Sequence, residues 1–294
     1  MEDSIFATVL LPVALGVIML SLGLSLTPAD FKRVVVFPKG VAIGLSNLFV
    51  ISPLLAFAVA EAYGLAPALA VGLVILGASP GGVMANMLTH LARGDTALSI
   101  TLTAISSAAA VITVPLFLEL ATSHFGAPGF DDDVGVAAIV LRVLLITVVP
   151  LSLGMYLRRR SPARIVAAEP RVRRLALALF LLIVIGAVIA ENERVLDNLG
   201  EVALAAITLN VAAMAVSYSI SRVAGLDNRQ TTAVAIELGI HNATLAIAIA
   251  ATISTVLTIP AAVYSAFMFI TAGLFARAMA RRNSPAGEAA AGSG

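Results

Sequence analysis

The sequence predicts an all-α, polytopic membrane protein with about nine transmembrane helices. Three observations lead to this prediction: the composition is strongly apolar, the apolar residues fall into long windows, and helix breakers interrupt two of those windows. The 294 residues are 60% hydrophobic and 12% charged, with a mean hydropathy of +1.03. These values lie far outside the range of soluble domains. The chain is therefore expected to fold in a bilayer.

The apolar windows have the length of membrane spans, because a helix needs roughly 20 residues to cross the hydrocarbon core. Charged clusters divide the chain into windows at about 5–26, 41–60, 66–91, 96–120, 136–157, 175–190, 201–221, 231–252 and 258–280. The first window has an acidic approach and exceeds the length of a signal peptide, so it is predicted to stay as a span. Residues 1–283 then form one transmembrane domain, and the small, polar residues of 284–294 are predicted to be a disordered cytoplasmic tail.

The distribution of basic residues predicts the orientation of the chain. Alternate loops hold 16 of the 18 Lys and Arg residues, whereas the remaining loops carry mostly Asp and Glu. Because cytoplasmic loops retain basic residues, the N-terminus is predicted outside and the C-terminus inside the cell membrane. The Arg-rich loop 158–174 is explained as a topology determinant, so no nucleic-acid partner is predicted. The absence of cysteine excludes disulfides, thiolate catalysis and soft-metal sites.

The third window contains a predicted helix break. Pro80, Gly81 and Gly82 stand in its centre, and Asn86 follows four residues later. Proline removes a backbone donor and clashes with the preceding turn, and each glycine lowers helix propensity by about 1 kcal/mol. Unpaired backbone at membrane depth is tolerated only where it is buried in protein or lines a cavity. A packing kink is the alternative, because glycine and proline are frequent in membrane helices.

The eighth window contains a second predicted break, in the stretch ELGIHN at 237–242. Glu237 places a carboxyl group at membrane depth, which costs about 2.5–3.5 kcal/mol on insertion scales and requires a cavity or a partner. Gly239 permits unwinding, and carboxylate, amide and freed carbonyl oxygens are hard ligands for a small cation. The two windows run in opposite directions, which predicts an inverted repeat whose broken helices cross near the midplane. This pattern is typical of secondary transporters.

Three stretches resemble the bile acid:sodium symporter family in order and spacing. They are LSLGLSLTPADFKRVVVFPKG (21–40), GASPGGVMANMLTHLARGDTALS (77–99) and ELGIHNATLA (237–246). The resemblance implies two subdomains, a panel of spans at about 5–26, 136–157 and 175–190 and a core of spans at about 41–120 and 201–280. It also implies symport of an organic anion, bile-acid-like or another carboxylate, by alternating access. Sodium would be the coupling ion, and no cofactor is implied.

The resemblance further implies a first sodium site between the two breaks. The matching positions in this chain are Asn86, Ser99, Thr103 and Glu237. Ser99 and Thr103 are four residues apart, so their hydroxyl groups share one face of a helix. The alternative for these hydroxyls is back-bonding to their own helix. Ala85 stands where relatives often have a serine that adds a ligand.

A second sodium site is expected to be incomplete. Relatives use side-chain amides where this chain has Leu48 and His241, which leaves the backbone carbonyls of Leu238 and Ile240 as further ligands. An imidazole offers nitrogen, a poor ligand for a hard cation, and it titrates near neutral pH. A hydrogen-bonded packing role explains His241 equally well.

The expected substrate contacts combine amides with an apolar wall. Asn210 and Asn242 provide amides for an anionic head group, helped by the positive end of a half-helix. Met268 and Phe269 stand on the last span where relatives often have polar side chains. An amphipathic or hydrophobic carboxylate would fit this wall better than a small polar one.

Four other functions compete with sodium symport. A proton-coupled or sodium-independent carrier would use Glu237 and His241, whereas arsenite efflux would want thiolate ligands that the chain lacks. An intramembrane enzyme finds little support, because the sequence has neither an H-E-x-x-H nor a G-x-S-x-G motif. A channel would be expected to show a ring of charges or a repeated filter. We therefore predict a carrier and no enzyme activity.

Overall fold

The computed structural model describes residues 11–27, 35–126, 136–190 and 192–284, which are mostly helical. The α-helices are α1 (Leu11–Ser25), α2 (Pro38–Ser46), α3 (Ser52–Ala62), α4 (Pro67–Gly77), α5 (Val83–Leu91), α6 (Thr96–Phe125), α7 (Val136–Arg160), α8 (Pro162–Ala190), α9 (Asn192–Val223), α10 (Asn228–Gly239), α11 (Ala243–Ala251) and α12 (Ile259–Arg282). A π-helical segment, Asn47–Ile51, joins α2 to α3, and a 3₁₀ turn, Thr255–Thr258, precedes α12. The all-helical prediction is confirmed for these residues.

Several predicted features lie outside the described residues. They are the first residues of the opening window (5–10), the basic pair Lys32 and Arg33, the acidic run Asp131 to Asp133, Glu191, and the predicted tail from 285 onward.

Four helical stretches in the described residues are long and apolar enough to cross a membrane. They are Pro38–Ala62, Thr96–Phe125, Gly200–Val223 and Thr255–Arg282, and two shorter apolar helices, Val13–Ser25 and Pro67–Gly77, accompany them. A broken helix leaves halves that are each too short to span the hydrocarbon core, because a span needs roughly 20 residues. The halves α4 and α10 have 11 and 12 residues. These helices describe a polytopic, multi-pass membrane protein.

Local chemistry sets several helix ends. The side chain of Asp95 accepts a hydrogen bond from the backbone N–H of Leu98 (3.0 Å) at the start of α6. Asp227 caps α10 in the same way, and such caps stabilise a helix by about 1 kcal/mol. Helix α6 ends at Gly126, whose φ of 60° is the left-handed conformation that glycine adopts at helix C-termini.

Helix α1 packs mainly against α7 and α8. Its contact with α7 depends on two glycines that allow the backbones to approach closely. A Cβ atom at Gly154 would lie 2.6 Å from the carbonyl oxygen of Leu20, and a Cβ atom at Gly23 would overlap the carbonyl of Leu151. Small residues at such crossings are typical of helix pairs in membranes, where close van der Waals packing replaces the hydrophobic driving force.

The ends of the two broken helices meet on one face of the molecule. Arg229 Nε donates to the carbonyl of Arg93 (3.1 Å), and the N–H of Asp95 donates to the carbonyl of Arg229 (3.0 Å). The amide of Asn283, just after α12, donates to the carbonyl of Ala92 (3.0 Å). The loops that carry Arg93 and Arg229, which the sequence assigns to the same side of the membrane, are therefore in direct contact.

Candidate functional site

Both predicted helix breaks are present, and they lie against each other. The first is the gap between α4 and α5, and the second is the gap between α10 and α11. Their extended segments run antiparallel and form a single bridge between Gly81 and His241. The N–H of Gly82 donates to the carbonyl of Ile240 (2.7 Å), and the N–H of Asn242 donates to the carbonyl of Pro80 (2.8 Å). These bonds satisfy backbone groups that the breaks release inside the protein.

Three glycines at the crossing have little free space around the position of a Cβ atom. A Cβ atom at Gly81 would overlap the carboxyl group of Glu237. At Gly82 it would lie 3.3 Å from the carbonyl oxygen of His241, and at Gly239 it would lie 2.5 Å from the sulfur of Met214. The absence of a side chain at Gly81 therefore makes the room that the buried carboxyl group occupies.

The four residues of the predicted first sodium site come together beside this crossing. Ser99 Oγ lies 2.9 Å from Oε2 of Glu237, and Thr103 Oγ1 lies 2.6 Å from Oε1. The same two hydroxyls lie 2.8 Å and 3.2 Å from Oδ1 of Asn86. Glu237 and Ser99 are fully buried and Thr103 is 5% exposed. Back-bonding also occurs, since Thr103 Oγ1 lies 3.1 Å from the carbonyl of Ser99.

This oxygen cluster has more acceptors than hydrogens to share. With Glu237 ionised, the hydroxyl hydrogens of Ser99 and Thr103 face both of its carboxyl oxygens, Oδ1 of Asn86 and the carbonyl of Ser99. A third hydroxyl, that of Thr89, donates to Oγ of Ser99 (3.4 Å). The ion pairs in the described part of the chain join His124 to Glu61 and Arg158 to Glu169, so no basic side chain there pairs with Glu237. A buried carboxylate without a positively charged partner is costly. The chemistry of the cluster fits a small cation bound by oxygen ligands.

His241 makes different contacts from those of a cation ligand. Its ring is 1% exposed. Nδ1 lies 3.1 Å from the carbonyl oxygen of Ser79, and Nε2 lies 3.0 Å from Oγ of Ser52. Because a carbonyl can only accept, Nδ1 must carry a hydrogen. Ser52 Oγ also lies 2.8 Å from the carbonyl of Gly77, so the ring and this hydroxyl hold the first break.

The other residues of the predicted second site are buried. Leu48 is 1% exposed, and Leu238 and Ile240 are equally buried in the core. The carbonyl of Ile240 already accepts the N–H of Gly82. The oxygen ligands expected for a second sodium ion are thus scarcer in the folded chain than the sequence alone suggests.

Asn210 donates a hydrogen bond to a carbonyl at the second break. Its Nδ2 donates to the carbonyl of Gly239 (2.7 Å) and lies 2.8 Å from the hydroxyl of Tyr264, which itself donates to that carbonyl (3.1 Å). Thr271 donates to its Oδ1. Asn210 is fully buried, and its amide satisfies a carbonyl that the break releases.

The remaining predicted substrate contacts divide between core and surface. Asn242 is half-buried, and its Oδ1 accepts the N–H of Leu245 (3.0 Å) at the start of α11. Met268 is 5% exposed and packs in the core, whereas Phe269 is 43% exposed. In this conformation Asn242 and Phe269 are the more accessible members of the set.

Several polar residues at the crossing were missed by sequence reasoning. They are Ser52, Ser79, Tyr264 and Thr271. The available signals were position and type: Ser52 directly precedes Pro53 and Ser79 directly precedes Pro80 within apolar windows. A proline leaves a carbonyl of the preceding turn without its helical N–H, which a nearby hydroxyl can replace.

Comparison with known proteins assigns the chain to a family. The model of the Sodium Bile acid symporter family matches residues 12–198, which is more than half of the chain. The chain belongs to this family. The match covers α1 to α8 and the first residues of α9, so it includes the first break and the hydroxyl pair of α6. The predicted family membership is confirmed.

Individual symporter relatives extend the similarity to the second break. The chain is 30% identical over 240 residues to the probable sodium/metabolite cotransporter BASS1 of Arabidopsis thaliana, which covers 81% of the chain and 58% of that protein. It is 29% identical over 267 residues to the sodium-dependent transporter YocS of Bacillus subtilis, covering 89% and 80%. It is 26% identical over 284 residues to the human ileal sodium/bile acid cotransporter, covering 92% and 79%.

The names of these relatives are those of membrane transport proteins. All three carry the names of transporters rather than enzymes, which agrees with the prediction of no enzyme activity. The chain spans only 58% of the length of the Arabidopsis relative. The names of the relatives therefore do not assign a substrate or a coupling ion to this chain.

Proposed function

We propose that the protein is a secondary active transporter that couples sodium entry to the uptake of an organic anion. One observation carries the proposal: the buried carboxyl group of Glu237 lies among Asn86, Ser99 and Thr103, with an excess of acceptor oxygens and no basic partner in the described residues. A sodium ion would neutralise the carboxylate and use these oxygens as ligands. Membership of a family of sodium-coupled symporters supports the same coupling ion.

The anion is proposed to bind beside the crossing. The helices α5 and α11 both begin there, and a helix N-terminus carries partial positive charge that favours an anionic group. The half-buried amide of Asn242 stands at the start of α11, and the apolar side chain of Phe269 is partly exposed. We propose an amphipathic or hydrophobic carboxylate as the substrate class.

Alternating access is proposed to move two subdomains past each other. The packing of α1 against α7 and α8 supports a panel made of these helices, with the remaining helices as the core. Nine spans arranged as an inverted repeat, with the broken helices crossing near the midplane, would give the core two similar halves. The N-terminus would face outside and the C-terminus the cytoplasm of a cell membrane, following the basic loops.

Proton coupling is the second candidate. The buried Glu237 could be neutralised by a proton as well as by sodium. A relay between Glu237 and His241 finds no support, because the ring of His241 contacts Ser79 and Ser52 and is not hydrogen-bonded to the carboxyl group. The number of oxygens around Glu237 favours sodium.

Uptake into proteoliposomes tests the proposal. We expect labelled hydrophobic carboxylates to accumulate under an imposed sodium gradient and not under a proton gradient or without a gradient. Glu237→Gln keeps the shape of the side chain but removes its charge, so the sodium concentration for half-maximal uptake should rise at least about tenfold, or about 1.4 kcal/mol. Asn86→Ala should act in the same direction.

Glu119→Gln is the matched control, because Glu119 is an exposed carboxylate on α6. Its sodium dependence should equal that of the wild type. Accumulation that follows only the proton gradient would replace sodium with a proton, and equal sodium dependence in Glu237→Gln and the wild type would remove Glu237 from the site.

A further inference from the structure

A helix break releases carbonyl groups, and at this crossing the protein supplies donors for them. The carbonyl of Gly239 accepts from Asn210 and Tyr264. The carbonyls of Ile240 and Pro80 accept from the backbone of the opposite segment. These three carbonyls, which could otherwise serve as cation ligands, already have partners at ordinary hydrogen-bond distances.

Two carbonyls at the first break, those of Ser79 and Gly77, lie beside His241 and its partner Ser52. The Nδ1–H of His241 donates to the carbonyl of Ser79 at 3.1 Å, and its Nε2 lies 3.0 Å from Ser52, whose hydroxyl reaches the carbonyl of Gly77 at 2.8 Å. One ring thus links the C-terminal end of α4 to the end of α10. It does so while fully enclosed, next to the ring of Tyr264 at a centroid distance of 5.8 Å.

The π-helical segment explains how Ser52 reaches this position. Pro53 follows Ser52 and cannot donate to the turn before it. The helix widens at Asn47–Ile51, directly before Ser52, and π-turns of this kind often mark functional sites. The amide of Asn47 is anchored to Ser217 at 3.1 Å. The hydroxyl of Ser52 is therefore held in place from its own helix.

The two sides of the crossing differ in their need for positive charge. Beside Glu237 the oxygens outnumber the available hydrogens, whereas at the first break the Nδ1–H of His241 donates to the carbonyl of Ser79, and the hydroxyl hydrogen of Ser52 is shared between Nε2 and the carbonyl of Gly77. We propose that the imidazole of His241 takes the place of a cation at the freed carbonyls of the first break, so that the crossing takes up one sodium ion per transport cycle. This inference rests on the proposed function. His241 is then a positioning residue, because it acts on the sodium site through the backbone.

Sodium binding to the purified protein tests the stoichiometry with sodium chloride as the only ligand. Equilibrium binding of radioactive sodium in detergent should saturate at one equivalent, with a Hill coefficient of one, and Glu237→Gln should weaken it at least about tenfold. Saturation at two equivalents in the wild type would overturn the inference and leave the proposed function intact. No sodium binding would overturn the proposed function and the inference with it.

Three variants test the positioning role. His241→Ala leaves the carbonyl of Ser79 without its donor, and sodium affinity should fall about tenfold, as for residues that orient ligands from outside. His241→Gln, whose amide can donate to the same carbonyl, should restore affinity to within about threefold of the wild type. Ser52→Ala keeps the bond from Nδ1 to Ser79 but removes the contacts with Nε2 and with the carbonyl of Gly77. It remains informative if His241→Ala does not fold, with an expected fall of about threefold.

The matched control is Thr122→Ala, because Thr122 is a buried hydroxyl that bonds only within its own helix, far from the crossing. Its sodium affinity should match the wild type. If His241→Ala folds and binds sodium with wild-type affinity, or if His241→Gln is as weak as His241→Ala, the imidazole is not the positioning group.

Discussion

At the residue scale, the site pairs a residue that has no side chain with a residue that carries a buried carboxyl group. Gly81 leaves the space into which Glu237 extends, and Ser99 and Thr103 then meet the two carboxyl oxygens. The glycine pair of the first break is thus needed for more than unwinding. One of the two glycines shapes the proposed cation site directly.

Substitution of Gly81 tests whether the carboxyl group of Glu237 needs the space beside this glycine. Gly81→Ala would push a methyl group into the carboxyl of Glu237, and overpacking of this kind costs about 1–3 kcal/mol. We expect a lower melting temperature in detergent and loss of the stabilisation that sodium gives the wild type.

Gly273→Ala is the control, since a Cβ atom at this helical glycine would meet no atom within 4 Å. It should leave the melting temperature unchanged or raise it, because alanine favours helix over glycine by about 1 kcal/mol. A Gly81→Ala protein that keeps its sodium-dependent stabilisation would contradict the proposed geometry.

At the element scale, each broken helix is held by a different neighbour. The end of α10 is satisfied by Asn210 of α9 and Tyr264 of α12, whereas the end of α4 is satisfied by Ser52 of α3 and His241. These donors come from separate helices on different sides of the crossing. Separation of these helices would remove donors from the carbonyls at the crossing, so the core is expected to move as one unit.

Substitution of Asn210 tests how the end of α10 is stabilised. Asn210→Ala leaves the carbonyl of Gly239 with only the longer bond from Tyr264, and the loss of one hydrogen bond costs about 0.5–1.5 kcal/mol. We expect faster hydrogen exchange of the amides at 239–242 and a lower melting temperature. Ser219→Ala on the exposed side of the same helix removes only an intrahelical bond and should change neither. Unchanged exchange in Asn210→Ala would show that Tyr264 alone suffices.

Substitution of Gly154 tests the close contact between α1 and α7. Gly154→Ala places a Cβ atom 2.6 Å from the carbonyl of Leu20, so the helices must separate and the melting temperature should fall. Gly16→Ala on α1 meets no atom within 4 Å and is the control. Equal melting temperatures for the two variants would mean that the helices adjust to the added methyl group without cost.

At the scale of the whole molecule, the proposed orientation can be tested by labelling. The chain has no cysteine, so single cysteines can be introduced into an otherwise unreactive protein. Ser123→Cys, near the outer end of α6, should react with an impermeant thiol reagent in intact cells. Ser161→Cys, between α7 and α8, should react only after permeabilisation. The reverse pattern would invert the proposed topology.

The sequence by itself determined the helical character of the described residues and the two helix breaks, because apolar length, proline and glycine act through local chemistry. It also grouped the predicted first-site residues, through resemblance to a family. Only the tertiary structure decided which hydroxyls donate to Glu237. It also decided that His241 donates to the carbonyl of Ser79 at the first break, and that Asn210 donates to the carbonyl of Gly239 at the second. These partners are separated by 29 to 162 residues along the chain. Their meeting depends on how the helices rotate and pack against each other, which local sequence does not encode.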